Sequence, residues 1–256
     1  MAIKLKRPKQ INALREANRL VAETFVVLEK EIRPGVRLSQ LDRIATDYIT
    51  SRGAQPLYKG YRGTPPAHPP FPGTICASVN HEICHGLPDE RQLAEGDIIG
   101  IDIGLRLDGW CGDACVTYAV GAITPAAQQL LRVTRECLRR GIAEAQPSAR
   151  LTDIGAAIQA HAESHGYSVV REWGGHGVGR SLHEPPSVPH VGPAGHGPRL
   201  RPGMVFTVEP MINMGRPEWR LLDDGWTVVT VDRSLSAQFE HTIAVTKDGP
   251  LILSQL

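Results

Sequence analysis

A chain of 256 residues with 28 Lys+Arg against 27 Asp+Glu carries a formal charge of +1, which argues against the basic face of a nucleic-acid binder. At this length one large domain, or two fused halves, buries about 70–75% of the surface of its unfolded chain. No apolar run approaches the roughly 18 residues of a membrane helix. The basic start MAIKLKRPKQINALREANRL lacks the apolar core of a signal peptide. Five cysteines, an odd number, suit a reducing cytosol better than a disulfide framework.

In chain order, Leu14, Ala17, Val21, Phe25 and Leu28 predict a helix over 10–31. Leu41, Ile44, Ala45, Tyr48 and Ile49 predict a second over 39–52, with Ser39 as cap and Gly53 as stop. The stretch GTPPAHPPFPG (63–73) is too rich in proline for a helix or a central strand and reads as a stiff surface loop. Residues 96–118, GDIIGIDIGLRLDGWCGDACVTY, read as a hairpin turning at Asp108-Gly109. Helical spacing returns over 125–145 and 152–165, with Thr152 as cap and Gly166 as stop. Short strand-like runs then lead to Glu209 in VFTVEP and Glu240 in QFEHTIAVT.

The hairpin holds two acids where apolar residues are expected. Its register pairs Leu107 with Trp110, Gly104 with Asp113 and Asp102 with Cys115. Asp102 and Asp113 then become diagonal neighbours on one face, roughly 7–8 Å apart at the backbone. No Lys or Arg falls between 107 and 131 to neutralise them. Buried carboxylates are usually paired or bind a metal. The bland alternative is one buried Asp bonded to backbone amides and one turn Asp.

The chain also repeats itself. PGVRLSQLDRIATDYITSRG from Pro34 matches PSARLTDIGAAIQAHAESHG from Pro147 at an offset of 113, and LAEGDIIGID matches LRPGMVFTVE at an offset of 107. The second match sets Asp102 against Glu209. A duplicated helix–helix–strand unit follows, with halves of approximately 10–120 and 121–252 inside a single domain spanning 1–256. Two similar halves related by a pseudo-twofold would bring Asp102 and Glu209 to a common site.

Four strand carboxylates, Asp102, Asp113, Glu209 and Glu240, would repel one another without cations. Two divalent ions balance their charge. Oxygen donors with one imidazole suit Mn, Fe, Co or Zn in a hydrolytic two-metal site. His85, His176 and His183 supply candidate imidazoles; His81, His161, His165, His190, His196 and His241 read as ordinary hydrogen-bonded residues. Cys76, His81, Cys84 and His85 form a rival zinc cluster, but they lack a C-x-x-C pair.

These motifs resemble the type I methionine aminopeptidase family: SVNHEICHGLP, IDIG followed by CGDA, REWGGHGVGRSLHEPP, LRPGMVFTVEPM and DGWTVVTVDRSLSAQFEHTIAVT, over about residues 5–252. The resemblance implies an α/β (α+β) pita-bread fold: two pseudo-symmetric halves with an antiparallel sheet core flanked by helices, forming one catalytic domain. It implies removal of an initiator methionine that precedes a small residue. It implies two divalent metal ions held by Asp102, Asp113, His176, Glu209 and Glu240, with Asp113 and Glu240 bridging. It gives catalytic roles to His85, His183 and Glu209, and a methionine pocket built from Phe71, Cys76, Leu182 and Trp226. Nascent polypeptide N-termini become the partners, with transient ribosome association, no specific nucleic acid and no membrane, in a cytoplasmic monomer.

The chain departs from the family pattern at Leu182, where an aromatic is usual, at Cys111 and His81, and through an apparent insertion at 63–73. The 31 residues from Glu209 to Glu240 leave no room for the helical insertion of type II enzymes. With no Cys-rich N-terminal extension, the pattern resembles a minimal bacterial-style enzyme. Two other readings compete: a proline-directed peptidase of the same fold, and a catalytically dead module that binds other proteins. The presence of all five ligand positions weighs against the second of these.

Overall fold

The computed structural model describes residues 2–63 and 68–256. The apolar stripe at Leu14, Ala17, Val21, Phe25 and Leu28 becomes the buried face of α1 (Pro8–Glu29), and α2 (Leu38–Ser51) buries Leu38, Leu41, Ala45 and Ile49. Strands β1 (Gln55–Pro56), β2 (Ile75–Val79) and β3 (Glu82–Cys84) precede the long hairpin of β4 (Ile98–Leu107) and β5 (Trp110–Ala119). Helices α3 (Pro125–Ala143) and α4 (Leu151–Ser164) follow. Then come β6 (Ser168–Val169), β7 (Gly175–Gly177), β8 (Glu184–Val188), β9 (Val205–Val208) and β10 (Met211–Asn213). The chain closes with β11 (Trp219–Leu221), β12 (Val228–Thr230), β13 (Ser236–Gln238), β14 (His241–Thr246) and β15 (Gly249–Ile252).

Every ladder between the described strands is antiparallel. One sheet joins β1, β2, β4 and β5, a second runs in the order β15-β14-β9-β7-β8, and two smaller sheets flank them. Two main cores form. One lies between α1, α2 and the β4–β5 hairpin, with Val21, Leu41, Ile101 and Leu105 at its centre. The other lies between α3, α4 and the second sheet, around Leu130, Ile154, Phe206 and Ile243. The hairpin has the register expected from its turn: Asp102 faces Cys115, Gly104 faces Asp113 and Leu107 faces Trp110. Asp108 and Gly109 both adopt positive φ, 49° and 75°, as a two-residue turn requires.

Corresponding positions of the two halves make corresponding bonds. Leu38 N–H donates to Arg91 O and Ser39 N–H to Asp89 O; Leu151 N–H donates to Pro198 O and Thr152 N–H to His196 O. The donors are 113 residues apart and the acceptors 107 apart, the two offsets of the sequence repeat. The same bonds correct one expectation. Ser39 and Thr152 are not caps, because each helix begins one residue earlier and its opening N–H groups are already satisfied by a neighbouring segment's carbonyls.

The expected surface loop over 63–73 falls partly on 64–67, outside the described residues. The remainder is not all surface, since Phe71 is buried. All five cysteines are buried free thiols. Among the described residues no helix is long and apolar enough to cross a membrane.

Gly155 sets how closely α4 approaches the segment after β8. A Cβ there would strike Pro189 O and lie 2.8 Å from Val191 N. Alanine favours a helix by about 1 kcal/mol over glycine, but overpacking against rigid backbone costs about 1–3 kcal/mol. Gly155→Ala is therefore expected to destabilise the protein; a urea midpoint at or above the wild-type value would contradict this.

Candidate metal centre

The site is built where the two sheets meet. The N–H of Glu240 donates to Cys115 O at 2.8 Å, and Thr242 Oγ1 donates to Asp113 O at 2.7 Å, so β14 and its approach lie along β5. From the other side the Asp113 N–H donates to Asn18 Oδ1 at 3.1 Å, and Asn18 is itself anchored to Leu14 O within α1. Gly112 allows that approach, because a Cβ there would lie 2.7 Å from the Ala17 carbonyl. Asp113 thus stands between a helix of one half and a strand of the other.

His176 sits at the centre of β7. Its flanking glycines leave room for close approach of neighbouring backbone: a Cβ on Gly175 would collide with Thr207 O, and one on Gly177 with Pro185 O. They let β7 lie tightly between β8 and β9. The His176 N–H donates to Thr207 Oγ1 at 2.9 Å, and that hydroxyl donates to Glu209 Oε1 at 2.6 Å. The ring donates Nδ1–H to Gly177 O at 3.1 Å, which leaves the Nε2 lone pair directed at the acids. Nε2 lies 3.4 Å from Asp113 Oδ2 and 3.7 Å from Glu209 Oε1. Ligand atoms of Asp113, His176 and Glu240 all fall within 4.8 Å of one another, the one such group of three among the described residues. The rival set of Cys76, His81, Cys84 and His85 makes no such group among them.

Asp102 and Glu209 border the same cavity of about 410 Å³. Tyr58 Oη lies 2.6 Å from Asp102 Oδ1 and 2.9 Å from Asp113 Oδ1. A phenol has one hydrogen to share between them, so it gives at most one full hydrogen bond to the pair. Burial pushes Asp102 up to about 7 and Glu209 up to about 8, and it raises Asp113 and Glu240 well above the ordinary range, with mutual repulsion adding to the last two. Burial also lowers His176 to about 3, keeping its imidazole neutral. No Lys or Arg lies among the described residues lining the cavity. Four buried carboxylates around one neutral imidazole, without a counter-cation, fit hard divalent cations.

Above the acids the cavity is walled by aromatic rings. Phe71 and Trp226 meet edge to face at 5.3 Å, and Cys76 packs beside them. His85 stands edge-on to Trp173 at 5.1 Å, in a left-handed backbone conformation with φ of 56°. Burial lowers His85 to about 4. His183 lies 4.2 Å from His176, ring centre to ring centre. Leu182 is a correction: it does not line the cavity. It packs with Leu14, Trp110, Val178 and Val205, while the neighbouring His183 lines the cavity.

Sequence reasoning missed Asn18, Tyr58, Thr207 and Gln238, whose amide Nε2 lies 3.4 Å from Glu209 Oε2. One signal for Tyr58 was available. Gly104 interrupts an apolar strand, and a Cβ there would lie 2.7 Å from the Tyr58 ring. His190, read as ordinary, accepts the Glu209 N–H at Nε2 across 3.1 Å.

A carboxylate–imidazole cluster at the floor of a cavity between two antiparallel halves defines a metal-dependent hydrolase. The chain belongs to metallopeptidase family M24, whose pattern matches residues 12–247. It is 49% identical over 251 residues to Methionine aminopeptidase 1 of Bacillus subtilis (strain 168), covering 98% of each chain. The crystal structure of methionine aminopeptidase from Rickettsia prowazekii superposes with a TM-score of 0.95 at 45% identity, over 99% of this chain and 100% of that one. An Xaa-Pro dipeptidase from Bacillus anthracis shares the fold at a TM-score of 0.77 and 21% identity, over 98% of this chain and 62% of that one. The architecture is the pita-bread fold, and the family uses divalent metal.

The raised carboxyl groups set the pH dependence of the metal-stripped protein. Unfolded carboxyls titrate near 4, whereas native Asp102 and Glu209 titrate at about 7 and about 8. Between those limits the native state binds more protons, so stability falls as pH rises. The buried neutral His85 and His176 oppose this only below the ordinary imidazole value of about 6.5, so the melting temperature of chelator-treated protein is expected to drop from pH 6.5 to 8.5, and added Mn(II) to restore it most at the alkaline end. A melting temperature of the stripped protein that rises steadily with pH would contradict this.

Proposed function

We propose that this chain is a methionine aminopeptidase, releasing an N-terminal methionine that precedes a small second residue. The observation that carries this reading is the position of the acid cluster at the floor of a cavity of about 410 Å³ walled by Phe71, Cys76 and Trp226. Such a space suits one thioether side chain, soft and unbranched, against aromatic edges.

Asp102, Asp113, His176, Glu209 and Glu240 would hold two divalent ions, Mn, Fe, Co or Zn, with Asp113 and Glu240 as the carboxylates able to serve both. When bound, the ions supply Lewis-acid polarisation of the scissile carbonyl and acidify water. The protein's own groups do the rest. Glu209, oriented by Thr207 and Gln238, takes a proton at a carboxylate oxygen and returns it to the leaving amine. His183 donates to the carbonyl oxygen as charge develops there. His85, neutral and wedged against Trp173, holds the substrate backbone beside the methionine pocket.

We further propose that 1–256 act as one catalytic domain with duplicated halves of approximately 10–120 and 121–252, supported by the paired offsets of bonds at Leu38 and Leu151. Nascent polypeptide N-termini are the proposed partners, met in the cytoplasm by a monomer in transient association with ribosomes.

The test is turnover of metal-loaded protein on Met-Ala-Ser against Ala-Pro-Ala. Efficient release of Met and negligible cleavage of Ala-Pro-Ala are expected; the reverse preference would make the chain a proline-directed peptidase. Asp113→Asn is expected to lose most bound metal and nearly all activity, since no neutral amide replaces the charge of a shared carboxylate. Normal metal content in that variant would refute the assignment. His183→Ala is expected to keep its metal and KM while kcat falls about 10²–10³-fold. His176→Ala is instead expected to lose affinity for metal. The opposite pattern would exchange the two histidines' roles.

A further inference from the structure

Tyr61, two residues before the proline-rich stretch 63–73, reaches His183. Its hydroxyl lies 3.3 Å from His183 Nδ1. Its ring stacks on the His183 ring at 5.8 Å with 27° between the planes, and it leans on Trp226 at 6.1 Å. The contact is held by more than the side chain. Tyr61 N–H donates to Tyr58 O and Phe71 N–H donates to Tyr61 O, both at 2.8 Å, while Gly60 N–H donates to Phe71 O. Phe71 is buried against Trp226. Trp226 Nε1–H in turn donates to Pro69 O at 2.8 Å, and His68 Nδ1–H donates to Gly225 O at 2.7 Å. The two ends of the segment are therefore fastened to each other and to the pocket wall, and Tyr61 projects from that fastening onto His183.

A neutral imidazole carries one proton, and the hydrogen bond made at one nitrogen decides which nitrogen holds it. A phenol is the stronger donor of the two groups. When it donates to Nδ1, the ring's proton must sit on Nε2. A stacked ring 5.8 Å away also restricts rotation of the imidazole about its Cβ–Cγ bond.

We propose that Tyr61 is a positioning residue for His183: its hydroxyl donates to Nδ1, fixing the proton on Nε2 as the donor that meets the reacting carbonyl. This rests on the donor role proposed for His183. The Tyr61 hydroxyl and ring meet His183 and Trp226, so its removal is expected to leave metal binding intact. It acts on the transition state through another side chain, so its loss appears in kcat and not in KM.

Tyr61→Phe keeps the ring and its stacking and removes the hydroxyl alone. In zinc-loaded protein on Met-Ala-Ser, kcat is expected to fall about 10- to 100-fold, the range typical of partners that orient a functional imidazole. KM and zinc content are expected to stay unchanged. In a His183→Ala background the same substitution is expected to have no further effect. Long-range 1H–15N spectra give a second reading, with the His183 resonances found by their loss in His183→Ala. The wild type is expected to show Nε2 protonated and Nδ1 bare, and Tyr61→Phe to show that distinction weakened. Normal turnover in Tyr61→Phe beside a slow His183→Ala overturns the inference and leaves the role of His183 standing. So does an equal further loss in the double variant, which would place the hydroxyl's effect elsewhere. Normal turnover in His183→Ala overturns the donor role itself, and this inference with it.

Discussion

Four carboxylates are gathered in the interior around one neutral imidazole, and no lysine or arginine among the described residues lining their cavity answers them. Removing even one such charge from water costs several kcal/mol after relaxation. Protons can relieve the repulsion, in keeping with the raised carboxyls of Asp102 and Glu209, and so can divalent cations. The surrounding structure makes sense only as a means of holding these acids together against that cost. Asn18 fixes Asp113 from one side and Thr242 from the other. Thr207 joins the backbone of His176 to the side chain of Glu209.

The same arrangement explains why function lies between the halves. Each half has its own core, so neither needs the acids for packing. The acids collect where two sheet edges are stitched by Glu240 to Cys115 and Thr242 to Asp113. That seam places polar backbone and carboxylates together at the base of an aromatic-walled cavity. Hydrolysis of a terminal peptide bond uses the same combination: charge-stabilising groups at the floor and an apolar recess for one side chain.

Much of this was legible because local rules fixed it. Asp108-Gly109 admits one register, and that register places Asp102 and Asp113. The repeat offsets pair Asp102 with Glu209, and the periodicity of α1 to α4 gives their buried faces. What stayed hidden depends on contacts far apart in the chain. Nothing near Asn18 announces Asp113, 95 residues away, and Tyr58 meets Asp102 across 44. Leu182 was placed at the pocket by resemblance alone, whereas its side chain packs with Leu14, Val178 and Val205. Ser39 and Thr152 were misread because distant carbonyls had already satisfied the helix ends. The roles of His85 and His183 came from resemblance alone, since an isolated histidine carries no local signature of its use.

Proton release on metal binding tests the central claim most directly. Calorimetric titration of stripped protein with Mn(II) near pH 7, repeated in buffers of different ionisation enthalpy, counts the protons displaced. If burial holds the acids protonated until a cation replaces those protons, more than one proton per protein is expected to leave, and the number is expected to fall as pH rises above 8. Binding with no net release of protons would show that the acids are ionised without metal, and would contradict the account.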